Sequence, residues 1–227
     1  MQPMYLPWAG YFNLIATVDT FVFLDDVQFE RQSWQMRNRI LLAGKEALLS
    51  VPTQRAPLAT RIGSIRLADD ARWRQRHATT LQQAYSKAPF GRVMLDAVLP
   101  LLADTSITLL ADLDLAIIRA VVALLDLPGK LIRASELGCS GERTDHVVAL
   151  CRRVGATVYV SPQGAREYLL SDDFSGRAGI ELEFQEFTPA PYPQRRSAAF
   201  VSHLSVVDVL AHLGPARSRA YVEGRAA

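Results

Sequence analysis

With 227 residues, 49% of them hydrophobic and 21% charged, the chain carries enough apolar material for one sizeable core or two small ones, and its composition does not suggest a disordered chain. Its formal net charge of +2 is spread along the sequence, so a nucleic-acid footprint is not indicated, and no run approaches the roughly 20 apolar residues of a membrane span. Cys139 and Cys151 are the only cysteines, too few for a zinc site or a secreted disulfide scaffold; they read as reduced structural thiols, and a cytoplasmic location is expected.

The chain opens on a fixed loop. Pro3, Pro7 and Gly10 constrain it, and Tyr5 and Trp8 are bracketed by the prolines. Trp8, Tyr11, Phe12, Ile15 and Val18 then repeat at helical spacing, and Thr20 to Leu24 is a β-branched and aromatic strand that stops at Asp25 and Asp26. A loop–helix–strand unit is normally preceded by a strand, so the natural start is expected to lie upstream of Met1. Residues 47–51 and 61–67 read as short strands around a loop containing Pro52 and Pro57. Helical periodicity follows over 69–87, 90–102 and 107–125.

Further on, 131–134 reads as a strand, 142–154 as a helix stopped by Gly155, 157–161 as a strand, 165–170 as a short helix and 180–187 as a strand. Three prolines at 189, 191 and 193 interrupt regular structure. A last helix over 205–213 meets the stop signal Gly214-Pro215, leaving 216–227 loose. The alternation predicts an α/β fold: one domain over 1–227, with a Rossmann-like, mostly parallel sheet and a helical layer inserted at about 69–126.

Several blocks resemble a known family. Gln-Pro-x-Tyr-Leu-Pro-Trp-x-Gly-Tyr-Phe at 2–12, Phe-Val-x-Leu-Asp-x-Val-Gln-Phe at 21–29, Arg-Asn-Arg-Ile at 37–40, Val-Pro at 51–52, Tyr-Val-Ser at 159–161, Tyr-Pro-Gln at 192–194 and Leu-Ser-x-x-Asp at 204–208 are similar to those of WbqC-like proteins. Two positions depart from that pattern: Met36 stands where a polar residue, often Asn, precedes the Arg-Asn-Arg, and Pro162 stands where Gly follows the serine. The resemblance implies a role in bacterial surface polysaccharide or O-antigen synthesis, as a transferase placing an aminoacyl or acyl group on an amino sugar. The implied partner is a nucleotide-linked amino sugar or another phosphorylated small molecule. A more distant similarity is to adenylate-forming ligases of the pantothenate synthetase kind, for which ATP with magnesium would be the cofactor; Trp8-Ala-Gly10-Tyr11 stands here in place of their His-x-Gly-His.

The candidate site residues follow. Asp25 and Asp26 end a strand where open α/β sheets place ligands, so one is expected as a turn cap and the other as a base or cation ligand; His77 matches a position associated with the family. If 37–39 is extended, Arg37 and Arg39 share a face and Asn38 takes the other, and the forked guanidinium suits phosphate or carboxylate. Gln2, Tyr5, Trp8, Gln28 and Gln194 supply amides and rings; Tyr5 and Trp8 either stack on a sugar or base or plug the loop. Arg143 with Thr144 reads equally as a cap plus surface charge or as an anion-binding corner. Ser161, Gly164 and Tyr168 are placed in a second phosphate loop. A non-catalytic ligand-binding or assembly protein is the alternative, because no nucleophile elbow, metal motif or P-loop is present.

Overall fold

The computed structural model describes residues 1–70 and 72–225. After the opening loop, α1 (Ala9–Ala16) leads into β1 (Thr20–Phe23), whose alternating burial turns Phe21 and Phe23 inward. β1 pairs in parallel with β4 (Lys130–Arg133), from Thr20 opposite Lys130 to Phe23 opposite Arg133. Met1 takes the other edge of β1. Its ammonium donates to the Val22 carbonyl at 2.9 Å, and its own carbonyl accepts from Leu24 N–H at 2.9 Å; burial lowers the ammonium pKa to about 5.

β2 (Arg37–Leu42) and β3 (Lys45–Ser50) form an antiparallel hairpin. Leu42 faces Lys45, so the turn is the two residues Ala43 and Gly44, both at positive φ (52° and 82°), which suits the right-handed twist of the flanking strands. The sequence reading gave the 47–51 strand but not its partner. The second strand expected at 61–67 is instead a short 3-10 turn at Ile62–Ser64 with isolated bridges at Arg61, Arg66 and Leu67.

Residues 69–126 hold α2 (Arg72–Tyr85), α3 (Gly91–Ala103) and α4 (Leu110–Leu124), with α3 packed against both neighbours. β4 then runs into α5 (Ala134–Leu137), and α6 (Arg143–Arg153) carries Asp145 in its first turn and Arg152 and Arg153 in its last, matching the helix dipole. β5 (Val158–Ser161) and β6 (Glu181–Phe184) make a second parallel pair, joined through α7 (Arg166–Ser171) and α8 (Phe174–Ala178). α5 and α8 are too short to show periodicity and were not expected.

The architecture is therefore mixed α/β. Among the described residues the strands form three two-stranded sheets, two parallel and one antiparallel, where a mostly parallel sheet was expected. Buried apolar residues fall into two clusters. The larger joins α1, β1 and the hairpin to α2, α3, α4 and α9 (Val206–Val222); the smaller joins Val147, Val148 and Cys151 of α6 to Leu169, Phe174 and Ile180.

The C-terminal segment corrects the sequence reading. α9 does break at Gly214, where φ 73° and ψ 171° are outside helical space, but a second helical piece continues from Pro215 and buries Ser218, Tyr221 and Val222. Tyr221 and Val222 seal the core. The Tyr221 hydroxyl donates to Ala190 O at 2.8 Å, and Asn13 Nδ2 donates to Val222 O at 2.8 Å. Ala226 and Ala227 lie outside the described residues.

Candidate functional site

The C-terminal ends of β1 and β4 meet in a charged knot. Asp25 is 1% exposed; Arg133 Nε donates to its Oδ2 at 2.7 Å, Ser135 Oγ to the same oxygen at 2.7 Å, and Ser135 N–H to Oδ1 at 3.0 Å. Arg133 Nη1 in turn donates to Asp112 Oδ1 at 2.7 Å at the start of α4. A carboxylate with three donors already aimed at it is poorly placed to take a proton from a substrate. Through Arg133 and Ser135, Asp25 ties the end of β1 to the end of β4 and the start of α4.

Asp26 faces a residue far away in sequence. His146 Nε2 lies 3.2 Å from its Oδ1 and 3.1 Å from its Oδ2, with both side chains nearly buried. His146 Nδ1 is buried without a partner among the described residues. The sequence reading left His146, Arg133 and Ser135 out. His146 looked like one of four scattered histidines, and only the packing of α6 beside β1 brings it to Asp26.

On β2 the expected alternation holds: Arg37 and Arg39 are partly exposed and Asn38 is buried. Asn38 Nδ2 donates to the Tyr5 and Leu6 carbonyls at 3.2 and 2.9 Å, so Asn38 fixes the opening loop. The guanidinium carbons of Arg37 and Arg39 stand 6.0 and 5.8 Å from the Trp34 ring centroid, and that indole is 45% exposed. Arg39 also pairs with Glu46 at 2.9 Å. Arg37 makes no ion pair among the described residues, and its Nε is buried and unbonded.

Hydrogen bonds join the segment before β2 to the opening loop. Gln35 Nε2 donates to Gln2 Oε1 at 3.0 Å, Tyr5 N–H donates to Trp34 O at 3.2 Å, and Gln2 follows the Met1 that pairs with β1. Gln28 is exposed just beyond Asp26 and beside a cavity of about 360 Å³ lined by Phe29, Arg31, Pro57 and Leu58.

Other expected residues are placed elsewhere or sealed. Tyr5 is fully buried, with its hydroxyl 2.8 Å from His77 Nδ1, so it plugs the loop and cannot stack on a ligand; burial pushes its pKa up. His77 is itself buried beside Trp73, and burial pulls its pKa down to about 4. That keeps it neutral and removes it from the exposed face. The Trp8 indole stacks on His203, centroids 4.8 Å apart, and lies across Gly10. The helix N-terminus expected to offer N–H groups to a phosphate is thus covered by its own tryptophan.

The second phosphate loop also looks different in three dimensions. Ser161 is fully buried, Thr144 Oγ1 donates to Asp172 Oδ2 at 2.6 Å, and Gly164 lies in an exposed turn. Arg143, at φ 51°, and half-buried Tyr168 border Asp172; burial and that carboxylate push the Tyr168 pKa up. Gln194 is structural by its bonds: Nε2 donates to Val201 O at 2.9 Å and Asp208 Oδ2 at 3.1 Å, and Oε1 accepts from Val201 N–H at 2.8 Å. Among the described residues no three His, Cys, Asp or Glu side chains converge as a metal site, and no helix is long and apolar enough to cross a membrane.

Fold and surface together define a mixed α/β protein with a cationic, indole-backed strand and a parallel strand pair followed by two carboxylates. The chain belongs to the WbqC-like protein family, which matches residues 2–220. It is 27% identical over 215 residues, 94% of this chain and 92% of the relative, to the uncharacterized protein Rv1507c of Mycobacterium tuberculosis. No solved structure matches.

Proposed function

We propose that this protein binds a phosphorylated or nucleotide-linked amino sugar and transfers an aminoacyl or acyl group to it during surface polysaccharide synthesis. The observation that carries the reading is Arg37: a guanidinium beside an exposed indole, without an ion-pair partner among the described residues and with a buried, unbonded Nε. Such a group is held ready for an oxyanion, and the fork geometry favours phosphate or carboxylate. Trp34 adds a ring face for the sugar or base. Arg39 and Gln2 extend the surface, with Gln35 buried behind them, and Asp26, paired with His146, is the carboxylate we assign to chemistry. A Rossmann-like arrangement is the fold reading that goes with this function, supported by two parallel pairs whose C-terminal ends carry Asp25, Asp26, Arg133 and Ser161.

One observation favours a purely binding role: Asp25, Tyr5 and His77 are fully engaged inside the protein. Titration calorimetry with UDP-glucosamine tests the ligand, and product analysis with an added acyl thioester tests the reaction. Arg37→Ala is expected to weaken binding by about tenfold or more, with the melting temperature nearly unchanged. Unchanged affinity in a destabilised Arg37→Ala protein would make the residue structural, and tight binding without turnover would select the binding role.

A further inference from the structure

We infer that a second anion-binding site lies between the β2–β3 turn and the turn at 194–197, and that it takes the phosphate group of a small molecule. A cavity of about 330 Å³ opens there, lined by Leu41 and Leu42 at the end of β2, Gln83 and Ala84 of α2, and Arg195 and Arg196 of the turn. Its volume is within the range of small-molecule sites. From Arg37 to Leu42 the strand advances about 17 Å, so one phosphate cannot touch both this cavity and the Arg37 face. The two sites are therefore separate.

The cavity is cationic. Arg195 and Arg196 are exposed, and among the described residues neither guanidinium makes an ion pair or a hydrogen bond; the bond that Arg195 does form is through its backbone. No Asp or Glu of the described residues lines the cavity. Glu46, opposite Leu41 in the hairpin, is already paired with Arg39 at 2.9 Å, and Lys45, opposite Leu42, adds a further cation at the hairpin end. Two adjacent guanidiniums, each a planar fork of N–H donors, suit a doubly charged phosphate, and the exposed Gln83 carboxamide adds a neutral donor.

Two exposed arginines alone would be an ordinary solvated surface; what distinguishes these is the support under their backbone. A backbone N–H only donates and a carbonyl only accepts, so His212 takes the Arg195 N–H on Nε2 at 3.0 Å and donates from Nδ1 to Asp208 O at 2.8 Å. That imidazole is nearly buried beside the Tyr85 and Tyr192 rings. Gln194 is fastened to Val201 through both ends of its amide, and together with Tyr192 it donates to Asp208, which is fully buried. Ser197 N–H closes the turn on Gln194 O. Arg196 has φ 62°, a left-handed conformation that favours glycine, and its carbonyl packs against Gly44, where a Cβ would clash with it. A backbone fixed this firmly loses little further freedom when its side chains close on an anion. Even with Asp208 ionised, the two guanidiniums leave the surroundings of the cavity positive.

The test follows the backbone ¹⁵N–¹H shifts of the whole chain during titration with pyrophosphate at constant ionic strength. Saturable shifts are expected at residues 41–43, 83–85 and 195–196, and the double variant Arg195→Gln, Arg196→Gln should weaken binding by about tenfold or more at an unchanged melting temperature. Arg37→Ala should leave these shifts in place, so this result and the Arg37 binding result hold or fail separately. UDP and glucose 1-phosphate distinguish the source of the phosphate. Tighter binding of UDP than of pyrophosphate assigns the Leu41 and Leu42 wall to a base, and tighter binding of glucose 1-phosphate than of inorganic phosphate assigns Gln83 to sugar hydroxyls; either supports the site, as does equal binding through the phosphate alone. No saturable shift at the cavity, equal shifts with chloride at matched ionic strength, or full affinity in the double variant would each overturn it. If the double variant does not fold, the shift map of the unaltered protein decides.

Discussion

A carboxyl group in a dry core keeps its proton, and Asp114 on α4 is such a group. It is fully buried, both oxygens lack partners among the described residues, and burial raises its pKa well above the ordinary 3.8. The unfolded chain releases that proton near pH 4 while the folded chain retains it. Stability is therefore lost as pH rises from about 3.8 toward the folded pKa. Asp114→Asn should raise stability by about 1–2 kcal/mol at pH 7–8, with the gain shrinking toward pH 4; urea titrations at the two pH values check it. Asp25 is buried as well, but Arg133 and Ser135 aim three donors at it. Arg133→Ala would leave it buried with Ser135 alone and should cost about 3 kcal/mol or more in the same assay. A stability loss much below 1 kcal/mol would mean that the knot holds little together.

Among the elements, the break in α9 shows why a stop signal can be read correctly and its consequence missed. Gly214-Pro215 does end one helical piece, but Pro is also a good first residue for the next, and the apolar Tyr221 and Val222 supply a face that packs. At φ 73° and ψ 171° only glycine is comfortable, and a Cβ there would meet the Phe90 ring at 2.7 Å. Gly214→Ala is expected to destabilise by about 1–3 kcal/mol and to loosen the contact between α3 and α9, visible as faster amide exchange in residues 215–222. The long helices were legible because fifteen residues of α4 carry several turns of periodicity. The four- and five-residue helices α5 and α8 carry too little pattern to be distinguished from loop.

Across the whole molecule, the smaller cluster is tied to α1 by few bonds. Gln185, just after β6, donates from Nε2 to Gly10 O at 2.7 Å and to Asn13 Oδ1 at 2.6 Å, and its carbonyl accepts from Gln163 at 2.8 Å. Gln185→Ala should cost about 1–2 kcal/mol, and hydrogen exchange should place that loss in the segment from β5 to β6 more than in α2, α3 and α4. An even loss over the chain would show that the two clusters open together.

What the sequence determined by itself is local: the fixed loop at 2–12, the strand ending at Asp25 and Asp26, the Arg37/Asn38/Arg39 alternation, the major helices and the family. Each depends on neighbours a few residues apart, and φ/ψ preferences and periodicity act at that range. Tertiary structure alone decided which of those residues are free to act. Asp25 differs from Asp26 because Arg133 and Ser135 arrive from 108 and 110 residues away. Tyr5 differs from Trp34 because α2 brings His77 onto one ring and leaves the other in solvent. His146 meets Asp26, 120 residues away in sequence, only in the folded chain. A side chain's chemistry is set by its identity, but its availability depends on desolvation and on which donors the fold has already spent on it.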